Sequence, residues 1–114
     1  MSVIIQAPHQ RISAKTRQMI QEKFERFNKM LDRIEHCHVV LRREKNKKPE
    51  TCIVEARLVV PGNDLFALEH AEGFPQAAEM VCVALESQIK KHKSKLFRKR
   101  AKTADQVLAE EILE

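Results

Sequence analysis

The apolar positions of the chain change period several times, and each change marks an element. Ser2–Ala7 is short, rich in Val and Ile and stopped by Pro8, which predicts a first strand. From Ser13 the period becomes helical. Ile20, Phe24, Phe27, Leu31 and Ile34 recur at three- and four-residue steps, which predicts one helix over residues 14–32 with Ser13 as N-cap and Ile12 before it. Around Cys37–Arg43 the β-branched Val39 and Val40 lead into a charged loop from Arg42 to Glu50. A second run, Thr51–Val60, then alternates through Cys52, Val54, Ala56, Leu58 and Val60, so the pair reads as a hairpin with a basic loop. Pro61-Gly62-Asn63-Asp64 is a dense turn signal, and Leu65–His70 returns as a fourth strand. Gly73-Phe74-Pro75 opens a second helix with Pro at the first helical position. Ala78, Val81, Leu85, Ile89 and Leu96 mark its buried stripe, and it runs to about Lys102.

The expected order is therefore β-α-β-β-β-α. An α+β domain with a four-stranded sheet and both helices on one face, similar to the double-stranded RNA-binding fold, is the simplest way to bury two amphipathic stripes against alternating strands. At 114 residues there is room for one such domain, over residues 1–102. Residues 103–114 form an acidic tail. Thr103 and Gln106 have capping-box spacing, so Ala104–Leu113 is either a short extra helix with Val107, Leu108 and Ile112 on one side or a mobile tail.

Composition narrows the partner. No apolar run approaches the length of a membrane span, and the start, MSVIIQAPHQ, lacks the features of a secretory signal, so a soluble cytoplasmic protein is expected. Cys37, Cys52 and Cys82 form no CxxC pair and read as reduced packing residues. The net charge of +5 conceals an asymmetry. Asp105, Glu110, Glu111 and Glu114 fall in a tail without Lys or Arg, so residues 1–102 hold all 21 basic side chains against 12 acidic ones, a net of +9. Such a domain favours a polyanion, and nucleic acid comes before membrane because no segment pairs its cations with exposed large apolar residues.

The cations concentrate on the helices. At 100° per residue, Lys15, Lys23, Arg26 and Arg33 fall on one flank of the first helix, with Glu25 and Asp32 on the other and Glu22 near the back. Taken alone, that is how an ordinary solvated helix face looks. The second helix differs, because residues 90–102 carry Lys90, Lys91, Lys93, Lys95, Arg98, Lys99, Arg100 and Lys102, eight cations in thirteen positions. One or two would satisfy the helix dipole, whereas eight repel one another unless a polyanion offsets the repulsion. With no Trp or Tyr, and with Phe24 and Phe27 on a buried stripe, the sheet is not expected to read single-stranded bases. Lys and Arg on helices and a loop suit shape and phosphate recognition of folded RNA.

Catalytic and metal readings find little support. Gly62 and Gly73 make neither a phosphate-cradling loop nor a dinucleotide fingerprint, and no Ser, Cys or Thr sits in a nucleophile motif. His36-Cys37-His38 would place two imidazoles on one strand face with no further ligand pair. His92 reads as a packed or edge residue rather than a base. No enzyme activity, cofactor, metal or small-molecule substrate is expected.

With these elements in place, the chain resembles the ribosome hibernation promoting factors, also called ribosome-associated translation inhibitors and formerly sigma-factor modulation proteins. Ile12-Ser13 with Arg17 and Lys23-Phe24 resemble the first helix of that family. Asp32-Arg33-Ile34, Val39-Val40-Leu41 and Glu44-Lys45 resemble its turn and second strand, and residues 88–96 (Gln-Ile-Lys-Lys-His-Lys-Ser-Lys-Leu) its second-helix signature. The resemblance covers about residues 2–100. It implies a short-form translation inhibitor of stress and stationary phase that docks on the small ribosomal subunit, alone or within the 70S ribosome, and covers the transfer RNA and messenger RNA positions without chemistry. It also implies a protein that is a monomer off the ribosome. RNA contacts are implied at Lys23, Lys90, Lys91, Lys93 and Lys95, with Arg17, Arg26, Arg42, Arg98 and Lys99 as further candidates. Two departures stand out. Gly73-Phe74-Pro75-Gln76 replaces the acidic and aromatic opening of the second helix common in the family, and there is no counterpart of the second domain through which long members pair ribosomes.

Two other readings stay open. A double-stranded RNA-binding module for another structured RNA usually has its basic cluster at the opening of the final helix, whereas here the opening is Pro75-Gln76-Ala77-Ala78-Glu79. A protein-interaction regulator using the acidic tail or the thiols would bind its partner with little salt dependence.

Overall fold

A computed structural model describes residues 1–8, 10–45 and 50–102, with side chains through Ser94. The elements are β1 (Ser2–Gln6), α1 (Ala14–Glu25), α2 (Phe27–Met30), β2 (His36–Glu44), β3 (Thr51–Val60), β4 (Asn63–Ala71) and α3 (Phe74–Lys102). The strands form one sheet in the order β1-β2-β3-β4; β1 runs parallel to β2, and the other two pairings are antiparallel. This is the expected α+β arrangement. The loop residues Asn46, Lys47, Lys48 and Pro49, the side chain of Leu96 and the whole tail, 103–114, lie outside the described residues.

Alternation along the strands builds one apolar sheet face. Cys37, Val39 and Leu41 of β2, Cys52, Val54, Ala56, Leu58 and Val60 of β3, and Leu65 and Ala67 of β4 are all buried. They meet Ile20, Phe24 and Phe27 from the first helical segments and Ala77, Ala78, Val81, Cys82, Leu85 and Ile89 from α3 in one core. The rings of Phe24 and Phe27 lie 5.8 Å apart at 54°, a tilted pair that fills the space under α1. Each cysteine is a free, buried thiol, as expected of packing residues.

Ser13 caps α1 as its residue type predicts: it is extended (φ −69°, ψ 156°), and its hydroxyl accepts the Thr16 N–H at 3.0 Å. The single helix expected over 14–32 is instead two segments divided at Arg26, and the chain leaves the helix at Leu31 (φ −145°, ψ 128°). Leu31 and Ile34 are still buried, but from a turn in which Arg33 takes φ 66°. Their spacing fitted a continued helix because both face the same core. Arg33 therefore does not share the flank of Lys23 and Arg26. Pro75 is the second residue of α3, after Phe74, where its missing N–H is still harmless because the first helical N–H groups lack intrahelical partners.

The free edge of the sheet at β4 is closed by α3. The Gln88 side-chain amide donates to the Phe66 carbonyl at 2.6 Å, and its oxygen accepts the Phe66 N–H at 3.1 Å. One side chain thus replaces the missing neighbouring strand and blunts an edge that would otherwise template association.

Two outcomes follow from this packing. Arg33→Gly should leave stability unchanged or raise it by up to about 1 kcal/mol, and Arg33→Val should lower it by more than about 1 kcal/mol, because only glycine adopts positive φ freely; urea midpoints separate the two. Burial pushes the Cys37 thiol up to about 12, with Cys82 nearby adding to the effect, and pushes Cys82 up to about 11. The thiols keep their protons in the fold beyond the pH near 9 where exposed thiols ionise, so their contribution to stability is full below pH 9 and lost as pH rises through about 11 to 12. At pH 8 iodoacetamide should leave both unmodified in the native protein and alkylate them in urea, as read by mass spectrometry.

Candidate nucleic-acid interface

The charges of α1 and α3 are sorted by position along α3. Glu79 and Glu86, seven residues apart, lie on the flank of α3 that faces α1. Lys23 pairs with Glu79, and Arg26 pairs with Glu86 at 2.9 Å. The Lys23 ammonium holds the Glu79 carboxyl below the usual carboxylate range, first by its hydrogen bond and then by its charge. Exposed ion pairs of this kind add little stability, but they leave Lys23 and Arg26 each facing a carboxylate of α3.

Beyond Glu86, α3 holds no acidic residue as far as Lys102. Lys90, Lys91 and Lys93 are exposed on this stretch and form no ion pair among the described residues. They spread around the helix: at 100° per residue Lys90 and Lys93 follow the flank of Glu86, while Lys91 lies on the β4 side. Lys91 and His92 border a hollow of about 180 Å³ with Gln88 and Asn63. His92 is half-buried, the edge position expected of it. Lys95, Arg98 and Lys99 continue the helix, with side chains outside the described residues.

The remaining candidates divide. Arg17 is exposed on α1, and its guanidinium reaches the Ile5 carbonyl at 3.5 Å, beside β1. Arg42 lies on the opposite face of the sheet from the helices, where it pairs with Glu55 at 3.3 Å. It shares no surface with the α3 lysines. Two residues on that outer face escaped the sequence reading: Phe66, 42% exposed, and Arg57, whose guanidinium lies 5.6 Å from the Phe66 ring centroid; beside them lie the imidazoles of His36 and His38, on one strand face as their alternation predicts. The alternation of β3 and β4 was the signal that would have found them, since it puts Arg57 and Phe66 opposite His38 on one face. Among the described residues no cluster of three or more His, Cys, Asp or Glu could hold a metal, and no helix is long and apolar enough to cross a membrane.

The fold agrees with what comparison with known proteins shows. Residues 3–97 match the family described as sigma 54 modulation protein / S30EA ribosomal protein. This chain belongs to that family. Two curated Pseudomonas putida sequences, one of them from strain KT2440, are named ribosome hibernation promoting factor; each is 30% identical over 95 residues, covering 83% of this chain and 89% of the relative. The solved structure of a ribosomal subunit interface protein from Coxiella burnetii superposes with a TM-score of 0.73 at 22% identity, covering 82% of this chain and 99% of that one. The N-terminal domain of Thermus thermophilus Protein Y does so with a TM-score of 0.70 at 19% identity, covering 81% and 99%. These structures share the fold. The sigma 54 modulation / S30EA family acts without catalysis.

Because Lys23 and Arg26 already hold carboxylates, Lys90→Gln and Lys93→Gln should lower the salt concentration at which the protein elutes from heparin by more than Lys23→Gln or Arg26→Gln. Equal shifts for all four would show that the ion pairs give way to a polyanion.

Proposed function

We propose that this family member is a ribosome hibernation factor: a cytoplasmic translation inhibitor that binds the RNA of the small ribosomal subunit, alone or in the 70S ribosome, and covers the transfer RNA and messenger RNA positions. The observation that carries this reading is the run of eight cations from Lys90 to Lys102, with no acid among them in sequence, on a helix whose two acids, Glu79 and Glu86, pair with Lys23 and Arg26. A rigid helix with cations on several faces meets phosphates arranged in three dimensions, as in folded RNA, and needs no base readout. The family assignment and the name of the Pseudomonas putida relatives support the ribosome as the source of that RNA. Lys90, Lys91, Lys93, Lys95, Arg98 and Lys99 would make the main phosphate contacts. Arg17 would add one from α1, and Lys23 and Arg26 would join by exchanging Glu79 and Glu86 for phosphates. Arg42 would meet only RNA that wraps to the outer sheet face. Residues 1–102 form the binding domain in this reading, residues 103–114 an acidic appendage, and the protein is a monomer off the ribosome.

The test is co-sedimentation with isolated small subunits, large subunits and 70S ribosomes at low and high salt. Binding to small subunits and 70S but not to large subunits, weakening by about a thousandfold or more between 50 and 200 mM salt for six or more phosphate contacts, is expected. Changing Lys90, Lys91, Lys93 and Lys95 together to Glu should abolish binding with the fold intact by circular dichroism. Undiminished binding by that folded variant would overturn the proposed surface, and salt-insensitive binding would point to a protein partner.

A further inference from the structure

The outer face of the sheet carries a site that the lysine surface does not explain. In register across β2, β3 and β4, His38 faces Arg57, and Arg57 faces Phe66; one step along, His36 faces Val59, and Val59 faces Asp64. These residues and Glu55 border a hollow of about 320 Å³, at the lower end of the range of small-ligand sites. Val40 and Val59 supply its apolar floor. The His36 and His38 rings meet edge to face at 4.7 Å, and the Arg57 guanidinium lies over Phe66. Phe66 is held in place from outside the hollow, because Gln88 of α3 bonds both its N–H and its carbonyl. A partly exposed aromatic ring on a backbone clamped at that one residue is a preorganised surface.

The chemistry of the lining selects its occupant. Asp64 and Glu55 oppose a phosphate. An apolar protein side chain would desolvate Asp64 and Arg57 without giving either a partner. A nucleobase suits both parts of the hollow, since it offers a π-face to Phe66, Arg57 and the imidazoles and polar N–H groups at its edge. Glu55 is engaged by Arg42, whereas Asp64 has no ion pair or side-chain hydrogen bond among the described residues. A carboxylate only accepts, so the preferred base is the one with two adjacent donors, guanine with N1–H and N2–H; adenine and cytosine offer only an amino group there, and uracil only an imino N–H. We propose that this hollow holds one unpaired guanine of RNA, stacked on Phe66 with Asp64 accepting from its N1–H and N2–H. The sheet would then contact one base, on the face opposite the lysines, although Phe24 and Phe27 are buried as expected. The source of the base rests on the ribosomal reading above; the site itself does not.

The test is a ¹⁵N-detected titration of the full chain with guanosine, adenosine, cytidine and uridine 5′-monophosphates. All four carry the same phosphate, so contacts at Lys90–Lys93 are common to them. Guanosine monophosphate alone should shift the amides of His38, Arg57 and Phe66. Phe66→Ala should weaken that binding by about five- to a hundred-and-forty-fold, the range for loss of one stacked base. Asp64→Asn should remove the preference for guanine while other amides keep their native positions. Shifts confined to Lys90–Lys93, equal shifts with all four nucleotides, or shifts at the hollow that follow protein concentration without nucleotide would each overturn the proposal, the last by assigning the face to a second copy. Wild-type protein that co-sediments with small subunits but shows no guanine-specific shifts overturns this site alone. Guanine-specific shifts in a protein that binds no ribosomal particle overturn the ribosomal reading and leave the site standing.

Discussion

The last helix is longer than the sheet it packs on, and much of the molecule depends on that mismatch. At about 1.5 Å per residue the 29 residues of α3 span about 43 Å, whereas β3, with ten residues at about 3.3 Å each, spans about 33 Å. Burial along α3 ends at Ile89 among the described side chains. Before that point the helix must present Ala77, Ala78, Val81, Cys82 and Leu85 to the core and find acids for the cations of α1. After it the sequence turns strongly basic, with eight Lys or Arg between residues 90 and 102. One continuous helix thus couples a packed anchor to a charged projection, so the orientation of the cations is inherited from the core.

The sheet also serves two environments. Its inner face is covered by helices and is largely apolar, with Arg43 at its end over the Phe74 ring, while its outer face mixes Ile4, Phe66 and Leu68 with Arg42, Glu55, Arg57 and the two histidines. An antiparallel sheet with one solvated face ordinarily alternates apolar-in and polar-out, so an open aromatic ring among charged groups stands out against that pattern. Gln88 ties the two faces together: it projects from the helix layer and fixes the backbone of the residue whose ring lines the opposite side.

Much of this was legible in the sequence, because periodicity reports burial directly. The alternation of residues 51–60, the turn at Pro61–Asp64, the N-cap at Ser13 and the opening of α3 at Gly73–Pro75 were all readable from residue type and spacing. So was the accumulation of cations after residue 89, since charge composition needs no coordinates. Continuity of the apolar stripe misled at Leu31 and Ile34, because period shows which residues face a core and not whether the backbone that carries them is helical. There the left-handed Arg33 turns the chain while both side chains stay buried.

What the sequence by itself determined, then, is the set of elements, their inward faces and the net charge of each. Only the tertiary structure decided which charges remain available. Lys23 and Arg26 look like Lys90 and Lys93 in sequence, yet the first two meet Glu79 and Glu86, which lie 56 and 60 residues away along the chain. Arg42 looks like a neighbour of the same surface, yet strand alternation and sheet register put it on the other face. The physical reason is the same in each case: hydrophobic periodicity is a local property fixed by the backbone repeat, whereas neutralisation of a charge depends on distances between atoms that the chain brings together only when the core has closed.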